Sequence, residues 1–108
     1  MDLGESAAET AIREGYEESG VICEPIHLVG VHTGPDHQVT YANGDQTQFA
    51  GAVFRCRYVS GEPRADGIET LQACWFPTDP RALPEPMHPR VRQRLLEALT
   101  DRPEAYFQ

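Results

Sequence analysis

Acidic side chains recur at short spacing near the start of the chain. Glu14, Glu17 and Glu18 stand at positions i, i+3 and i+4, so an α-helix would place all three carboxylates on one face. Arg13 lies four residues before Glu17, within reach of an ion pair. Like charges at this spacing destabilise a helix, whereas hard divalent cations such as Mg²⁺ and Mn²⁺ favour carboxylate oxygens. The pattern therefore indicates either a metal-binding face or a solvated acidic face.

The segment that carries these acids has the end signals of a single helix. Ser6 followed by Glu9 matches the capping box, in which each side chain satisfies a backbone donor of the first turn. Gly20 follows the last turn and can adopt the left-handed conformation that ends a helix. A stripe of small residues lies beside the acidic face: Ala8, Ala11, Ile12 and Gly15. We therefore predict a helix between Glu5 and Val21 that packs with one side and binds with the adjacent side.

The same segment resembles the signature of the Nudix hydrolases. Seven of its nine specified positions match: Glu5, Arg13, Glu14, Glu17, Glu18, Gly20 and Val21. Gly15 stands where the family has an aliphatic residue, which should loosen packing of the helix and costs about 1 kcal/mol in helix propensity. The leading glycine of the signature, and the strands that precede it in the family, would fall before Met1. We expect the sequence to be a fragment or to begin at a misplaced start; the alternative is a naturally shortened member.

The resemblance implies an α/β (α+β) fold, a Nudix-like α/β/α sandwich with a mixed sheet that is truncated at the N-terminus. A length of 108 residues and a hydrophobic fraction of 40% suit a single domain over residues 1–108. Within it, the signature helix and its flanks occupy residues 5–21, and a C-terminal helix is expected over residues 88–100. No apolar run is long enough to span a bilayer.

Strand and turn signals follow the signature helix. We predict a strand over 26–32, a hairpin with arms 39–41 and 46–58, a strand over 70–76, and a proline-rich connector over 79–89. The hairpin turn is assigned to Asn43-Gly44, a pair suited to positive φ. Gly51 could mark a β-bulge or a close approach of backbone. These elements should form the sheet on which the helices pack.

The last predicted helix begins at a proline. Pro89 suits the first helical position, where its missing N–H costs nothing. An apolar stripe then falls at i, i+4, i+7 and i+8: Val91, Leu95, Ala98 and Leu99. We expect this stripe to cover one face of the sheet.

The family resemblance also implies a reaction and a cofactor. Its members cleave the diphosphate of a nucleoside diphosphate linked to another group, with Mg²⁺ or Mn²⁺ bridging the phosphates. By position, Glu14, Glu17 and Glu18 are the expected metal ligands, and Arg13 should orient them through Glu17. Glu5 matches the glutamate that supports or completes the metal site; its other interpretation is a partner for the helix dipole.

The general base is assigned less directly. Glu69 is the candidate outside the helix, although a solvated loop acid explains it equally well, and Asp66 is a weaker candidate. His32, His37 and His88 are better explained by hinge, turn and helix-cap roles than by catalysis. Three aromatic residues could stack on a base, although packing is the favoured interpretation: Tyr41, Phe49 and Tyr58.

Charge and cysteine usage limit the partners. The net charge of −8 and pI near 4.8 argue against binding to nucleic acid backbones or anionic membranes. The substrate is expected to be a small nucleotide diphosphate. Three widely spaced cysteines, Cys23, Cys56 and Cys74, suit reduced structural thiols in a cytoplasm. The alternative function is a non-catalytic remnant that binds partners or forms a homodimer through an exposed sheet edge.

Overall fold

The computed structural model describes residues 2–33, 38–68 and 72–107. Its elements in chain order are α1 (Ala7–Ser19), β1 (Val21–His32), β2 (Gln38–Thr40), β3 (Gln46–Gln48), β4 (Gly51–Gly61), a short 3₁₀ helix (Pro80–Ala82), α2 (Pro89–Leu99) and β5 (Tyr106–Phe107). In the larger sheet, β1 lies between β4 and β5, antiparallel to β4 and parallel to β5. Helices combined with a mixed sheet confirm the expected fold class.

Helix α1 begins and ends where the sequence predicts. The Ser6 hydroxyl accepts a hydrogen bond from the Glu9 backbone N–H at 3.1 Å, and the Glu9 carboxylate accepts one from the Ser6 N–H. Gly20 ends the helix with φ 78°, and its N–H donates to the Tyr16 carbonyl oxygen at 2.8 Å. A Cβ at Gly20 would lie 2.7 Å from the Glu62 carbonyl oxygen. Glycine is therefore required there by both conformation and space.

Strand β1 runs directly from this cap and is longer than the predicted 26–32 segment. Its pairing with β4 is interrupted by register shifts, and Ile26 and Val29 each lie opposite no partner. Before Val29 the odd-numbered residues are at least half-buried and the even-numbered ones exposed; after it Gly30 and His32 are buried and Val31 is exposed. The bulge at Val29 therefore reverses which side chains face inward.

The hairpin prediction is correct at the turn and wrong for the second arm. Strands β2 and β3 pair as a separate two-stranded sheet around Gly44, which has φ 91°. The predicted arm 46–58 is instead two strands, because residues 49–50 interrupt it and β4 pairs with β1. Gly51 begins β4, and a Cβ there would meet nothing within 4 Å, so it is not a site of close backbone approach.

The strand predicted over 70–76 is absent from the part of this segment that the structure describes. Residues 72–76 have no regular structure, while residues 70 and 71 lie outside the described residues. Trp75 of this segment packs edge-to-face against Tyr58 with ring centroids 5.7 Å apart, a side-chain contact that needs no backbone pairing.

Helix α2 begins at Pro89 as predicted, yet its rotation differs from the prediction. Val91 and Leu95 of the apolar stripe are 46% and 37% exposed, and the buried residue is Glu97 at 5%. Two contacts fix this orientation: Glu97 lies 3.8 Å from His32, and Arg55 donates to the Ala98 carbonyl oxygen at 3.0 Å. The expectation that the apolar stripe covers the sheet is therefore wrong in detail.

The hydrophobic core is small. Among the described residues Val29, 3% exposed, is the one buried apolar side chain, and His32 and Glu97 are the buried polar ones. Cys23, Cys56 and Cys74 are free thiols. Burial and a hydrogen bond with Cys23 raise the pKa of the Cys56 thiol to about 11, as suits a structural cysteine. Across the described ranges, neither helix has the length and apolar character needed to cross a membrane.

Candidate active site

Arg13 is the centre of an ion-pair network at the start of α1. Its Nε lies 2.8 Å from Glu5 Oε2 and its Nη2 lies 3.0 Å from Glu5 Oε1, a two-point contact. Its Nη1 lies 3.2 Å from Glu17 Oε2, one helical turn along the chain. Asp2 and Glu14 approach the same guanidinium at 3.5 and 3.7 Å. One planar cation therefore holds the side chains of a helix and of the segment before it.

Glu5 is held more firmly than the other acids of this network. Its side chain is 18% exposed, and it accepts additional hydrogen bonds from the Asp2 N–H at 2.9 Å and the Thr10 hydroxyl at 3.2 Å. The hydrogen bonds from Arg13, and then that from Asp2, lower the pKa of Glu5 from 4.5 to about 2. The same contact raises the pKa of Arg13 above its ordinary value. The Glu5–Arg13 pair is thus ionised throughout the physiological range.

An open pocket of about 250 Å³ lies beside the exposed side of α1, lined by Glu14, Glu17, Glu18, Asp66 and Ile68. We call it the acidic pocket. Glu14 and Glu17 are 48% and 58% exposed, so their carboxylates are accessible to solvent. Four carboxylates from the helix and the loop after β4 border one space, and none of the described residues that line it is basic.

The loop after β4 reaches the pocket because it is fastened to the end of α1. The Arg64 N–H donates to the Ser19 carbonyl oxygen at 2.7 Å. The Arg64 guanidinium lies over the ring of Tyr16, 5.7 Å from its centroid. Beyond this contact the Ile68 N–H donates to the Asp66 carboxylate at 2.8 Å, which fixes the turn containing Asp66. The loop therefore brings an acid distant in sequence to the face of the helix.

A second pocket of about 420 Å³ is lined in part by the end of α1 and by the loop after β4. We call it the aromatic pocket; its lining residues are Ser19, Val21, Pro63, Gln72, Ala73, Cys74, Trp75 and Phe76. Trp75 and Phe76 are 63% and 49% exposed. This pocket is larger than the acidic one, and among the residues of its lining that the structure describes none carries a full charge at neutral pH.

The donor set of the acidic pocket suits a hard cation. Carboxylate oxygens are the ligands that Mg²⁺ and Mn²⁺ prefer, and Mg²⁺ usually retains waters and adds phosphate oxygens rather than using a closed protein cage. Over residues 2–33, 38–68 and 72–107, no three histidine, cysteine, aspartate or glutamate side chains converge as a ready-made metal cage. The carboxylates thus fit the chemistry of such an ion but require additional ligands around it.

The structure brings most of the predicted helix acids together and places Glu5 apart from them. Arg13 contacts Glu17 as the spacing suggested, and Glu14, Glu17 and Glu18 share the acidic pocket. Glu5 lies against Arg13 and does not line that pocket. Their catalytic and metal-binding roles stay predictions. Glu69 and His37 lie outside the described residues.

The two remaining histidine candidates occupy structural positions. His88 accepts a hydrogen bond from the Arg90 N–H through Nδ1 at 3.1 Å and so caps α2. His32 is buried at the end of β1 beside Glu97. The cap interpretation of His88 is therefore confirmed.

Sequence analysis named Asp66 as a weaker candidate than Glu69, and the structure places Asp66 in the acidic pocket. No role at a site was predicted for Trp75, which belongs to the predicted strand over 70–76. A signal existed for Trp75, because a tryptophan followed by phenylalanine and proline at the end of an irregular segment is poorly placed for burial within a sheet.

Comparison with known proteins gives concordant results. The chain is 36% identical over 76 residues to a nucleoside triphosphate pyrophosphatase/Nudix hydrolase fusion protein of Bifidobacterium longum strain NCC 2705, covering 70% of this chain and 14% of that protein. It is 33% identical over 95 residues to a protein of Bacillus subtilis strain 168 provisionally named 8-oxo-dGTP diphosphatase, covering 88% of this chain and 56% of that protein. The model of the NUDIX domain family matches residues 1–99. With the signature helix, its caps and the mixed sheet in place, the chain belongs to the Nudix family.

Proposed function

We propose that this chain is a metal-dependent hydrolase that cleaves the diphosphate of a nucleoside diphosphate linked to another group. The substrate class comprises ADP-ribose-like compounds, nucleotides and nucleotide sugars. The observation that carries the proposal is the acidic pocket on the signature helix, where Glu14, Glu17 and Glu18 share one solvent-accessible space. Both relatives described above carry pyrophosphatase or diphosphatase in their names, which supports a reaction at a phosphoric anhydride.

In this proposal Glu14, Glu17 and Glu18 hold Mg²⁺ or Mn²⁺. The metal, when bound, supplies charge neutralisation for the diphosphate and activation of water, which phosphoryl transfer chiefly requires. The negative net charge of the chain makes such neutralisation necessary, because an anionic substrate would otherwise be repelled from four carboxylates. The protein then contributes orientation of the ligands and of the substrate.

Arg13 and Glu5 are assigned supporting roles. Arg13 donates from Nη1 to both carboxylate oxygens of Glu17 and so restricts the orientation of that carboxylate. Glu5 fixes Arg13 by two hydrogen bonds, and its own oxygens accept further bonds from Asp2 and Thr10. We therefore assign Glu5 as a positioning residue that completes the site through Arg13.

The proton acceptor for the attacking water is assigned to a carboxylate outside the helix. Asp66 lines the acidic pocket, and Glu69, which follows it by three residues in the sequence, is the candidate that the signature resemblance favours. Asp66→Asn and Glu69→Gln separate the two, because only the variant of the true acceptor should lose the rising limb of the pH–rate profile.

The proposal is tested by charge-neutral substitutions of the helix acids. In Glu17→Gln and Glu18→Gln, turnover of ADP-ribose, UDP-glucose and dGTP with Mg²⁺ or Mn²⁺ should fall by more than about 100-fold, beyond the usual cost of losing an outer-shell partner. Glu24→Gln is the matched control, since this exposed glutamate pairs with Arg57 on the sheet and makes the same charge change. Calorimetry should show divalent uptake in the wild type and the control, and loss of it in the helix variants.

Unchanged turnover in both helix variants refutes the assignment of these residues. Absence of turnover combined with absence of divalent uptake in the wild type refutes the proposed function.

A second candidate function is favoured by the edge of the sheet. Strand β4 has β1 on one side and, among the described strands, no neighbour on the other. It also carries the exposed apolar residues Tyr58 and Val59. A non-catalytic module would use this edge to pair with a second copy of the chain. Sedimentation of the chain should then show a dimer, whereas a monodisperse monomer at high concentration contradicts it.

A further inference from the structure

The ring of Trp75 is fixed by its neighbours yet open on one side. It packs edge-to-face against Tyr58, with an interplanar angle of 81°. The Tyr58 hydroxyl in turn donates to the Gly61 carbonyl oxygen at 2.8 Å, which fixes that ring to the end of β4. Trp75 is nevertheless 63% exposed. A large aromatic surface held in place and left accessible is arranged for contact with a ligand.

The space in front of this ring suits an uncharged planar group. The aromatic pocket has a volume of about 420 Å³, within the range of small-molecule sites. Most of the described lining residues are apolar, and Gln72 supplies a polar side chain. The Ser19 hydroxyl donates to the Gly15 carbonyl oxygen at 2.6 Å and accepts from the Val21 N–H at 3.3 Å. No charged side chain is found among the described lining residues, which disfavours a phosphate there. A nucleobase combines a π-face for stacking with an edge that hydrogen-bonds to such polar groups.

The aromatic and acidic pockets are lined by neighbouring residues at the end of α1 and in the loop after β4. Ser19 lines the aromatic pocket, and the preceding residue, Glu18, lines the acidic one. Pro63 and Asp66 repeat this division on the loop after β4. Three residues of chain span at most about 10 Å, so the two pockets are adjacent on the scale of one nucleotide.

We propose that the aromatic pocket binds the base of the nucleotide substrate, with Trp75 stacking on its face, while the diphosphate lies at the acidic pocket. This inference rests on the proposed function and adds the part of the substrate that the acidic pocket does not contact. Because every base has a π-face, stacking on Trp75 would give affinity with modest discrimination among bases. Discrimination would come from Gln72 at the base edge.

A direct test uses Trp75 as its own reporter, since it is the only tryptophan in the chain. Adenosine and guanosine, titrated without divalent ions, should quench the tryptophan fluorescence saturably. Ribose 5-phosphate, which has no base, should not. Equal quenching by ribose 5-phosphate, or no saturable quenching up to the solubility limit of the nucleosides, overturns the proposal.

Substitutions at the same position extend the test. Calorimetry should show nucleoside binding weakened about 5- to 150-fold in Trp75→Leu, the loss expected for one stacked base, and largely retained in Trp75→Phe. Phe107→Leu is the matched control, because Phe107 is an exposed aromatic residue, 85% accessible, on β5. Circular dichroism melting establishes that each variant folds. Equal affinity of wild type and folded Trp75→Leu for adenosine overturns the proposal.

Failure of this inference can be distinguished from failure of the proposed function. If the chain hydrolyses nucleotide diphosphates, Trp75→Leu should raise KM with little change in kcat, and an unchanged KM overturns the base site alone. If no diphosphate is hydrolysed, nucleoside quenching and its loss in Trp75→Leu still decide whether the pocket binds a base.

Discussion

Replacing Arg13 by glutamine tests the network that organises the candidate site. In the wild type, Arg13 is the main cause of the pKa of about 2 at Glu5, compared with an ordinary value of 4.5. Without the guanidinium, the donors that Glu5 keeps among the described residues are the Asp2 N–H and the Thr10 hydroxyl, so its pKa should rise from about 2 toward 4.5. A carbon-13 NMR titration of the Glu5 carboxyl group measures this shift directly.

The same substitution changes how stability depends on pH. A carboxyl whose pKa is lowered by folding stabilises the protein fully above pH 4.5, and that contribution is lost as the pH falls through about 2. In Arg13→Gln the contribution should be smaller at neutral pH, and urea unfolding should depend less on pH between these values. Arg13→Lys is the matched control: it keeps the charge but cannot make the two-point contact, so its Glu5 pKa should be intermediate. A Glu5 pKa that stays near 2 in Arg13→Gln would refute the reasoning.

The remaining predictions concern α1, with urea unfolding as the measurement. Gly15→Ala should stabilise the chain by about 0.5–1 kcal/mol, because a Cβ there meets nothing within 4 Å and alanine favours the helix. Gly20→Ala should destabilise it by more than that, since φ is 78° and the new Cβ would lie 2.7 Å from the Glu62 carbonyl oxygen; equal midpoints in these two variants would contradict both. Ser6→Ala should cost about 1 kcal/mol by removing the cap, and an unchanged midpoint would show that the capping box contributes nothing.

The signature helix could be predicted because its determinants are local. Its N-cap, its C-cap and the contact between Arg13 and Glu17 involve residues no more than four apart, so spacing alone specifies them. The contact between Arg13 and Glu5 spans eight residues and depends on how the preceding segment folds back. Position in the family signature identified Glu5, but its hydrogen bonds needed the structure.

The predictions that differ from the structure concern features that are set by contacts between residues distant in sequence. The segment 46–58 reads as one strand, yet β4 finds its partner in β1, which lies far earlier in the chain. The burial of Glu97 in place of Val91 follows from contacts of α2 with His32 and Arg55. Asp66 lines the acidic pocket on a loop whose Arg64 N–H is hydrogen-bonded to the end of α1. None of these pairings has a periodic signal in the sequence.

The bulge at Val29 makes the length of β1 a constraint on sequence change. Because the inward and outward positions exchange there, the same residues in a strand without the bulge would turn His32 toward solvent and Val31 toward the interior. The parallel pairing of Gly30 and Val31 with β5 would then be misaligned as well. Point substitutions along this strand keep its register and are therefore easier to accommodate than insertions or deletions.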